Sequence, residues 1–321
     1  MDKKDALYPL KFHPQLKEKV WGGNKLASLL GKEAKGKIGE SWELSGVKGN
    51  VSIVSNGSLK GENLTRLIKN FGADLLGTKI SSQYPGEFPL LFKFIDAKED
   101  LSVQLHPNDA IARERHNSFG KTEMWYIQQA DEDARLIIGF NKQMDKETYV
   151  KALSEGIITQ LLHSEKVTKG DTFFIAPGTV HAIGAGILVA EIQQTSDITY
   201  RIYDWDRPDV DGTMRELHTD LALDVISFHD TKAKINYSVS KNVPVLLCKS
   251  PYFETNLLKL SKPFQRDSSQ LDSFVVYMCT EGEATLCGEK IKTGETLLIP
   301  ALFNEINIIT SGVTLLEVYV P

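Results

Sequence analysis

Cysteine is scarce in this chain: Cys248, Cys279 and Cys287 are the only three in 321 residues, an odd number with no CxxC pair. A disulfide scaffold and a cysteine-built zinc site are therefore excluded as organising features. An excess of basic charge is missing as well, with 37 Lys and Arg against 42 Asp and Glu and a formal charge of −5. Nucleic-acid binders carry a basic field or stripe, so nucleic acid is not the expected partner. A few local cations can still hold a small anion. No apolar run approaches the ~18 residues that a membrane span needs, so no membrane partner is expected. Met1 to Pro9 lacks the apolar stretch of a secretion signal. These absences leave a cytoplasmic enzyme or binding protein, of about two domains by length.

What the chain does have is a series of short β-branched and aromatic runs separated by Gly, Pro, Asn or Asp. Phe88–Ile95, Leu136–Gly139, Asp171–Ala176 and Ile187–Gln193 are examples. This spacing predicts an all-β sandwich or barrel with a few short helices. Helical periodicity is confined to three places. Leu64, Leu67, Ile68 and Phe71 form a stripe closed by Gly72; Asp145 opens a segment with Tyr149, Val150 and Leu153; a third lies at Leu217–Ser227. A polar seam near residues 230–243 divides the chain into units of 1–240 and 241–321. Across it, Gly170-Asp-Thr-Phe-Phe-Ile-Ala-Pro177 is echoed by Gly294-Glu-Thr-Leu-Leu-Ile-Pro300, as if one β-module were duplicated. The first copy runs on into Gly178-Thr-Val-His181, whereas the second has no histidine. The first unit is thus the active one and the second a degenerate structural copy.

Chemistry concentrates in Leu101-Ser-Val-Gln-Leu-His-Pro-Asn108. On a strand, Gln104 and His106 share one face and Val103 and Leu105 the other. Gly120-Lys-Thr-Glu-Met-Trp-Tyr-Ile127 repeats that geometry with Lys121 and Glu123, and Pro177-Gly-Thr-Val-His181 adds another imidazole. Gln104, His106, Glu123 and His181 together offer two nitrogens and two oxygens, a set that suits zinc with one position left open. Two neutral imidazoles, one carboxylate and one amide would leave the ion a net charge near +1, and so a strong Lewis acid. A single strand histidine is more often structural than ligating, and the residues alone leave that alternative standing. His13, His116, His163, His218 and His229 lack paired ligand spacing and read as surface or capping residues; Asp204-Trp-Asp-Arg207 reads as a turn.

The same stretches resemble a known family. Leu-Ser-x-Gln-x-His-Pro-Asn is similar to the first motif of type I mannose-6-phosphate isomerases, jelly-roll metalloproteins of the cupin superfamily. Trp21-Gly-Gly23, Ile38-Gly-Glu-Ser-Trp-Glu43, Lys121-Thr-Glu123, Pro177-Gly-Thr-Val-His-Ala182 and Ser196-Asp-Ile-Thr-Tyr-Arg201 follow in the family's order. The resemblance spans roughly residues 8–210 and is to the short bacterial form, without the large helical insert or a nucleotidyltransferase module. It implies two jelly-roll modules, one Zn²⁺ per chain held by Gln104, His106, Glu123 and His181, and an essential arginine at Arg201. The implied reaction interconverts mannose 6-phosphate and fructose 6-phosphate through a cis-enediol, so the expected partner is a small sugar phosphate. One departure is local: Arg201 leads into Ile202-Tyr-Asp-Trp-Asp-Arg207 in place of a Gly-rich Thr-Pro-Lys segment.

For the general base, Glu191 is the first candidate and Asp197 the second, with Lys121 a third acid or base if burial lowers its pKa. Glu191, Asp197 and Arg201 share parity in a straight strand and so point the same way. The bland alternative is that the two carboxylates only hold Arg201 by ion pairing. Lys93, Ser102 and Lys121 are the implied polar contacts to phosphate and Trp21 an apolar wall, with Glu40 and Trp42 shaping the pocket from behind. Lys93 as an edge lysine reaching water, and Trp21 as plain core, are the ordinary alternatives. Two other functions compete: a different cupin sugar-phosphate isomerase, and a cupin that binds a sugar phosphate without turning it over.

Overall fold

The computed structural model describes residues 6–229 and 232–321; Met1–Asp5, and Asp230 and Thr231 of the polar seam, lie outside the described residues. The first twelve strands are β1 (Gln15–Gly23), β2 (Ile38–Ser45), β3 (Leu90–Ala97), β4 (Val103–Leu105), β5 (Glu123–Ala130), β6 (Arg135–Phe140), β7 (Leu162–Lys166), β8 (Thr172–Ile175), β9 (His181–Ile183), β10 (Ile187–Gln194), β11 (Tyr200–Tyr203) and β12 (Lys234–Ile235). They make two antiparallel sheets, in the orders β1-β2-β3-β10-β5-β8-β12 and β11-β4-β9-β6-β7. The remaining strands are β13 (Val245–Lys249), β14 (Glu254–Leu260), β15 (Phe264–Asp267), β16 (Val275–Leu286), β17 (Glu289–Lys292), β18 (Thr296–Ile299) and β19 (Glu305–Tyr319). These form a third sheet of their own around β14, β19 and β16. The fold is all-β, as the short β-branched and aromatic runs predict, and cupin-like, as the family resemblance implies.

The large sheet is covered on both faces, which explains why β3 and β10 are buried at every position. One set of alternate residues, including Ile95, Trp125, Ile127 and Val189, packs toward the five-stranded sheet. The other set, including Phe92, Phe94, Met124, Tyr126, Leu188 and Ile192, packs against the third sheet through Phe253, Phe274 and Leu316. An antiparallel strand buried on both sides loses the polar alternation of a half-exposed one. Lys93 therefore sits in an interior strand, hydrogen-bonded to β2 and β10, and the edge-lysine alternative does not hold.

Seven short helices fill the margins among the described residues. The Leu64–Phe71 helix forms as predicted: the Asn63 side chain accepts from the Arg66 N–H at its start, and Gly72 ends it at φ 47°. Asp145 caps the helix Lys146–Ser154 in the same way. That stripe needs one correction, since Tyr149 and Ala152 are its buried members and Val150 is 45% exposed. Residues three apart share a helix face and adjacent ones do not. In the third stripe only Thr219–Leu223 is helical. The two echoed segments both become strands, β8 and β18, each after a glycine of positive φ, Gly170 at 93° and Gly294 at 84°.

Phe94 joins the large sheet to the third sheet and is fully buried. Phe94→Ala is expected to cost about 3–5 kcal/mol, read as a lower midpoint in urea unfolding with an unchanged slope.

Candidate active site

Two rows of side chains face each other between the first two sheets. On the large sheet, strand register aligns Trp42, Lys93, Glu191 and Trp125 across β2, β3, β10 and β5. On the five-stranded sheet it aligns Arg201, Gln104 and His181 across β11, β4 and β9. Side chains opposite one another in such ladders lie within contact distance, so the topology itself assembles the group. Between the rows is a cavity of about 340 Å³, lined by both rows together with Trp21, Ser102, Lys121 and Asp197. Glu191, Asp197 and Arg201 do line one cavity, but not through parity along a straight strand. Glu191 belongs to β10 and Arg201 to β11, in different sheets, with the chain crossing between them.

His106 Nε2 lies 3.4 Å from Glu123 Oε1, and His181 Nε2 lies 3.7 Å from Glu123 Oε2. One donor atom from each of the three comes within 4.8 Å of the others, and all three residues are buried. Each imidazole is oriented from behind: His106 Nδ1 is 2.9 Å from the Ile198 carbonyl and His181 Nδ1 is 2.9 Å from the Thr179 carbonyl. Donation from Nδ1 leaves the Nε2 lone pairs aimed at one another and at the carboxylate. Burial, then the charge of Lys121 and the neighbouring imidazole, holds His106 well below the usual histidine range. Burial likewise pushes His181 down to about 4. Both rings are thus neutral near pH 7, the form that ligates metals.

A metal fits this set. His106 Nε2 and both Glu123 oxygens are buried without a hydrogen bond, a costly arrangement unless a cation satisfies them. Lys121 Nζ is 2.9 Å from Glu123 Oε1, at ion-pair distance but outside hydrogen-bond geometry. Gln104 lies beside the cluster, its amide 3.5 Å from His181 Nε2, with Ser102 Oγ donating to its carbonyl at 3.2 Å. Gly178 ties the two motifs together, donating to the His106 carbonyl at 2.9 Å. Its φ is 82°, and a Cβ there would come within 2.5 Å of the Val225 carbonyl, so this Pro-Gly turn requires glycine.

Lys93 donates to Glu191 at 2.9 Å and to Gln193 at 2.7 Å, and Trp125 Nε1 donates to the other Glu191 oxygen at 2.9 Å. Burial alone would lower the Lys93 pKa, but Glu191 and Glu40 outweigh it and hold the ammonium above its usual range. Trp21 is both core and wall: it is buried, lines the cavity, and presses on Gly39, where a Cβ would lie 2.4 Å from its ring. Glu40 and Trp42 line the cavity directly, joined by a 2.6 Å hydrogen bond from Trp42 Nε1. Asp197 is exposed at the rim, and among the described residues neither it nor Glu191 pairs with Arg201, so the ion-pair alternative is not what is found. Arg201 instead donates to the Glu216 carbonyl at 2.9 Å, and its Nε is buried without a partner.

His218 is not the surface residue its sequence context suggests: its ring lines the cavity, stacks on Tyr200, and accepts from the Arg201 N–H at 3.3 Å. Arg215 reaches the cavity too and was not singled out by the sequence. Neither carries a local signal, because a loop returning to β11 brings both there. Asp204-Trp-Asp-Arg207 is a turn, with Trp205 and Asp206 at positive φ.

Comparison with known proteins now bears on the whole chain. The sequence model described as "Phosphomannose isomerase type I, catalytic domain" matches residues 9–149. A mannose-6-phosphate isomerase of Bacillus subtilis is 37% identical over 301 residues, covering 91% of this chain and 93% of that protein. One from Streptococcus mutans is 36% identical, covering 91% and 92%. The chain belongs to the type I mannose-6-phosphate isomerase family. The crystal structure of a mannose 6-phosphate isomerase from Bacillus subtilis superimposes with a TM-score of 0.87 at 31% identity, covering 98% of this chain and 99% of that one. A mannosephosphate isomerase structure from Archaeoglobus fulgidus shares the fold, at TM-score 0.78 and 22% identity over 98% of each chain. The family is metal-dependent, in keeping with the buried His106, Glu123 and His181.

His181→Ala is expected to reduce metal affinity by more than the ~10–100-fold that losing an outer hydrogen-bond partner costs. Metal content after gel filtration, by plasma mass spectrometry, checks this; a wild-type content would mean that His181 is not a ligand.

Proposed function

We propose that this chain interconverts mannose 6-phosphate and fructose 6-phosphate using one Zn²⁺ held by Gln104, His106, Glu123 and His181. The observation that carries the reading is that a buried, unsatisfied His–Glu–His group shares one cavity with the Lys93–Glu191 pair and Arg201. Zinc suits two imidazoles, a carboxylate and an amide oxygen with a position left for substrate. Gln104 would offer its carbonyl after a half-turn of the amide, a rotation that costs it only the Ser102 hydrogen bond. When bound, the ion supplies Lewis-acid polarisation of the substrate's C1 and C2 oxygens. Residues 1–240 make the catalytic unit in this reading and 241–321 a degenerate second module. Three unpaired thiols suit a reducing compartment, so cytoplasm is the proposed location.

The isomerisation moves a proton from C2 to C1 through a cis-enediol. Glu191 is the proposed base, because it lies in the row beside the metal group, while Asp197 stands at the exposed rim. Trp125 and Lys93 fix both of its oxygens, which holds the carboxylate at one position on the C1–C2 edge. Lys93, held as an ammonium, can donate a hydrogen bond to a substrate oxygen beside it, and Lys121 can donate from the Glu123 side. Arg201 stabilises the developing enediolate charge. Ser102, Lys93 and Lys121 bind the sugar's oxygens from the floor, with Trp21 as the wall behind.

The test is a coupled assay for fructose 6-phosphate formed from mannose 6-phosphate, on chelator-stripped protein before and after Zn²⁺ is restored. Activity should vanish and return with the ion. Silence with Zn²⁺ demonstrably rebound would overturn the reading and bring forward another sugar-phosphate isomerase or a binding protein. In the active enzyme, Glu191→Gln should lower kcat by about 10²–10⁴-fold, the usual worth of a general base, with KM little changed. Arg201→Ala should lower kcat about 10²–10³-fold while leaving metal content intact. A wild-type rate in either variant removes that residue from the mechanism.

A further inference from the structure

We infer that Arg215, on the loop beyond Arg201, grips the substrate's phosphate at the cavity rim and so sets specificity for a phosphorylated sugar. The inference rests on the sugar-phosphate reading above and adds a residue to it. Every cation on the cavity floor is balanced internally: Lys93 by Glu191 and Gln193, Lys121 by Glu123. A phosphate brought there would compete with these carboxylates. It would also crowd the C1–C2 end, although it is carried on C6 at the opposite end of the substrate.

The rim offers what the floor does not. Arg201 and Arg215 both line the cavity, close enough that the charge of Arg215, after burial, is a cause of the lowered Arg201 pKa. Arg201 keeps a buried Nε without a hydrogen-bond partner and spends one Nη on a neutral carbonyl. Arg215 is clamped by the buried Asp204, which accepts from Nε at 2.6 Å and from Nη2 at 2.5 Å. This clamp leaves Nη1 for a ligand and fixes the guanidinium plane in advance, which lowers the entropic cost of binding. Asp204 also lies 3.6 Å from Arg207, whose nearer carboxylate is Glu99 at 3.3 Å, so Asp204 serves chiefly to orient Arg215. The segment that carries Arg215 is laced to β11 on the far side of Glu216: His218 N–H donates to the Arg201 carbonyl at 2.7 Å, and the Glu216 carbonyl accepts from Arg201. Arg215 is thus held at a set distance from Arg201. A pre-oriented guanidinium with Nη1 to spare, in the cavity wall near a second cation at Arg201, suits a dianionic phosphate.

The experiment compares zinc-loaded wild type, R215Q and R215K, with thermal melting and metal content as controls for folding. Binding of inorganic phosphate is measured by calorimetry, with unphosphorylated mannose as the neutral probe. R215Q should weaken phosphate binding by about 10-fold or more, as loss of a charge-assisted pair implies. R215K should fall between, because it keeps the charge and loses the fork. Against mannose 6-phosphate, R215Q should raise KM about 10-fold or more with kcat within about threefold, the pattern of lost uniform binding. An unchanged phosphate affinity in R215Q overturns the inference, and so does a wild type that does not bind phosphate. A fall in kcat with phosphate binding intact would also overturn it, making Arg215 a positioning residue for Arg201. Arg215-dependent phosphate binding in a protein that does not isomerise mannose 6-phosphate would uphold the rim site and refute the isomerase reading, so the two fail separately.

Discussion

Everything at this site depends on burying charge between two sheets without leaving it unpaired. Lys93 and Glu191 are opposed across β3 and β10 by strand register, 2.9 Å apart and nearly inaccessible. Neither charge would persist there alone, since an isolated buried ion is neutralised by a shift in pKa. Once paired, each is pinned: Gln193 takes a second Lys93 proton, Trp125 covers the other Glu191 oxygen, and the Lys93 ammonium lies 5.2 Å from the Trp42 ring. The ladder that stabilises the sheet is therefore the ladder that fixes the Glu191 carboxylate in the cavity.

Glu123 carries the same constraint toward the metal. It faces two neutral imidazoles and one ammonium, and its oxygens have no hydrogen bond. Three lysines on the floor, Lys19, Lys93 and Lys121, stand against Glu40, Glu123 and Glu191, so the charges balance. A divalent cation at the histidines would leave the floor net positive. The floor then favours developing negative charge on a substrate oxygen, which is what an enediolate pathway requires.

Much of this was legible in the residues. The spacing groups Gln104 with His106 and Lys121 with Glu123, and the structure brings them together with His181. β4 ends at Leu105 and β5 begins at Glu123, however, so His106 and Lys121 lie just outside the strands that parity assumes. What parity could not supply was the partner of each face. Lys93 reads as a possible edge lysine because the strands that flank β3 are distant in sequence, with Glu191 of β10 lying 98 residues further along the chain. Val150 was grouped with Tyr149 because a short helix gives too few turns to separate its faces. Arg215 and His218 left no trace, since their role comes from the path of the loop after β11. The agreement of Glu191, Asp197 and Arg201 in one cavity arises from a crossing between sheets, and a straight strand would have produced it for a different reason.

The two halves of the cavity are built by different means. The floor is made by register across strands buried on both sides, where a one-residue slip would turn every functional side chain away, so it tolerates little change. The rim is made by the loop from Asp204 to His218, whose tip is exposed at Val210 and Met214 and whose ends are tied down by the Asp204–Arg215 pair and the bonds of Glu216 and His218 to Arg201. Proton transfer at C1 and C2 needs fixed geometry, whereas recognition at C6 needs only charge within reach. A scaffold whose floor is built by strands and whose rim is built by a loop can change at the exposed loop tip without disturbing the strand register that holds the floor.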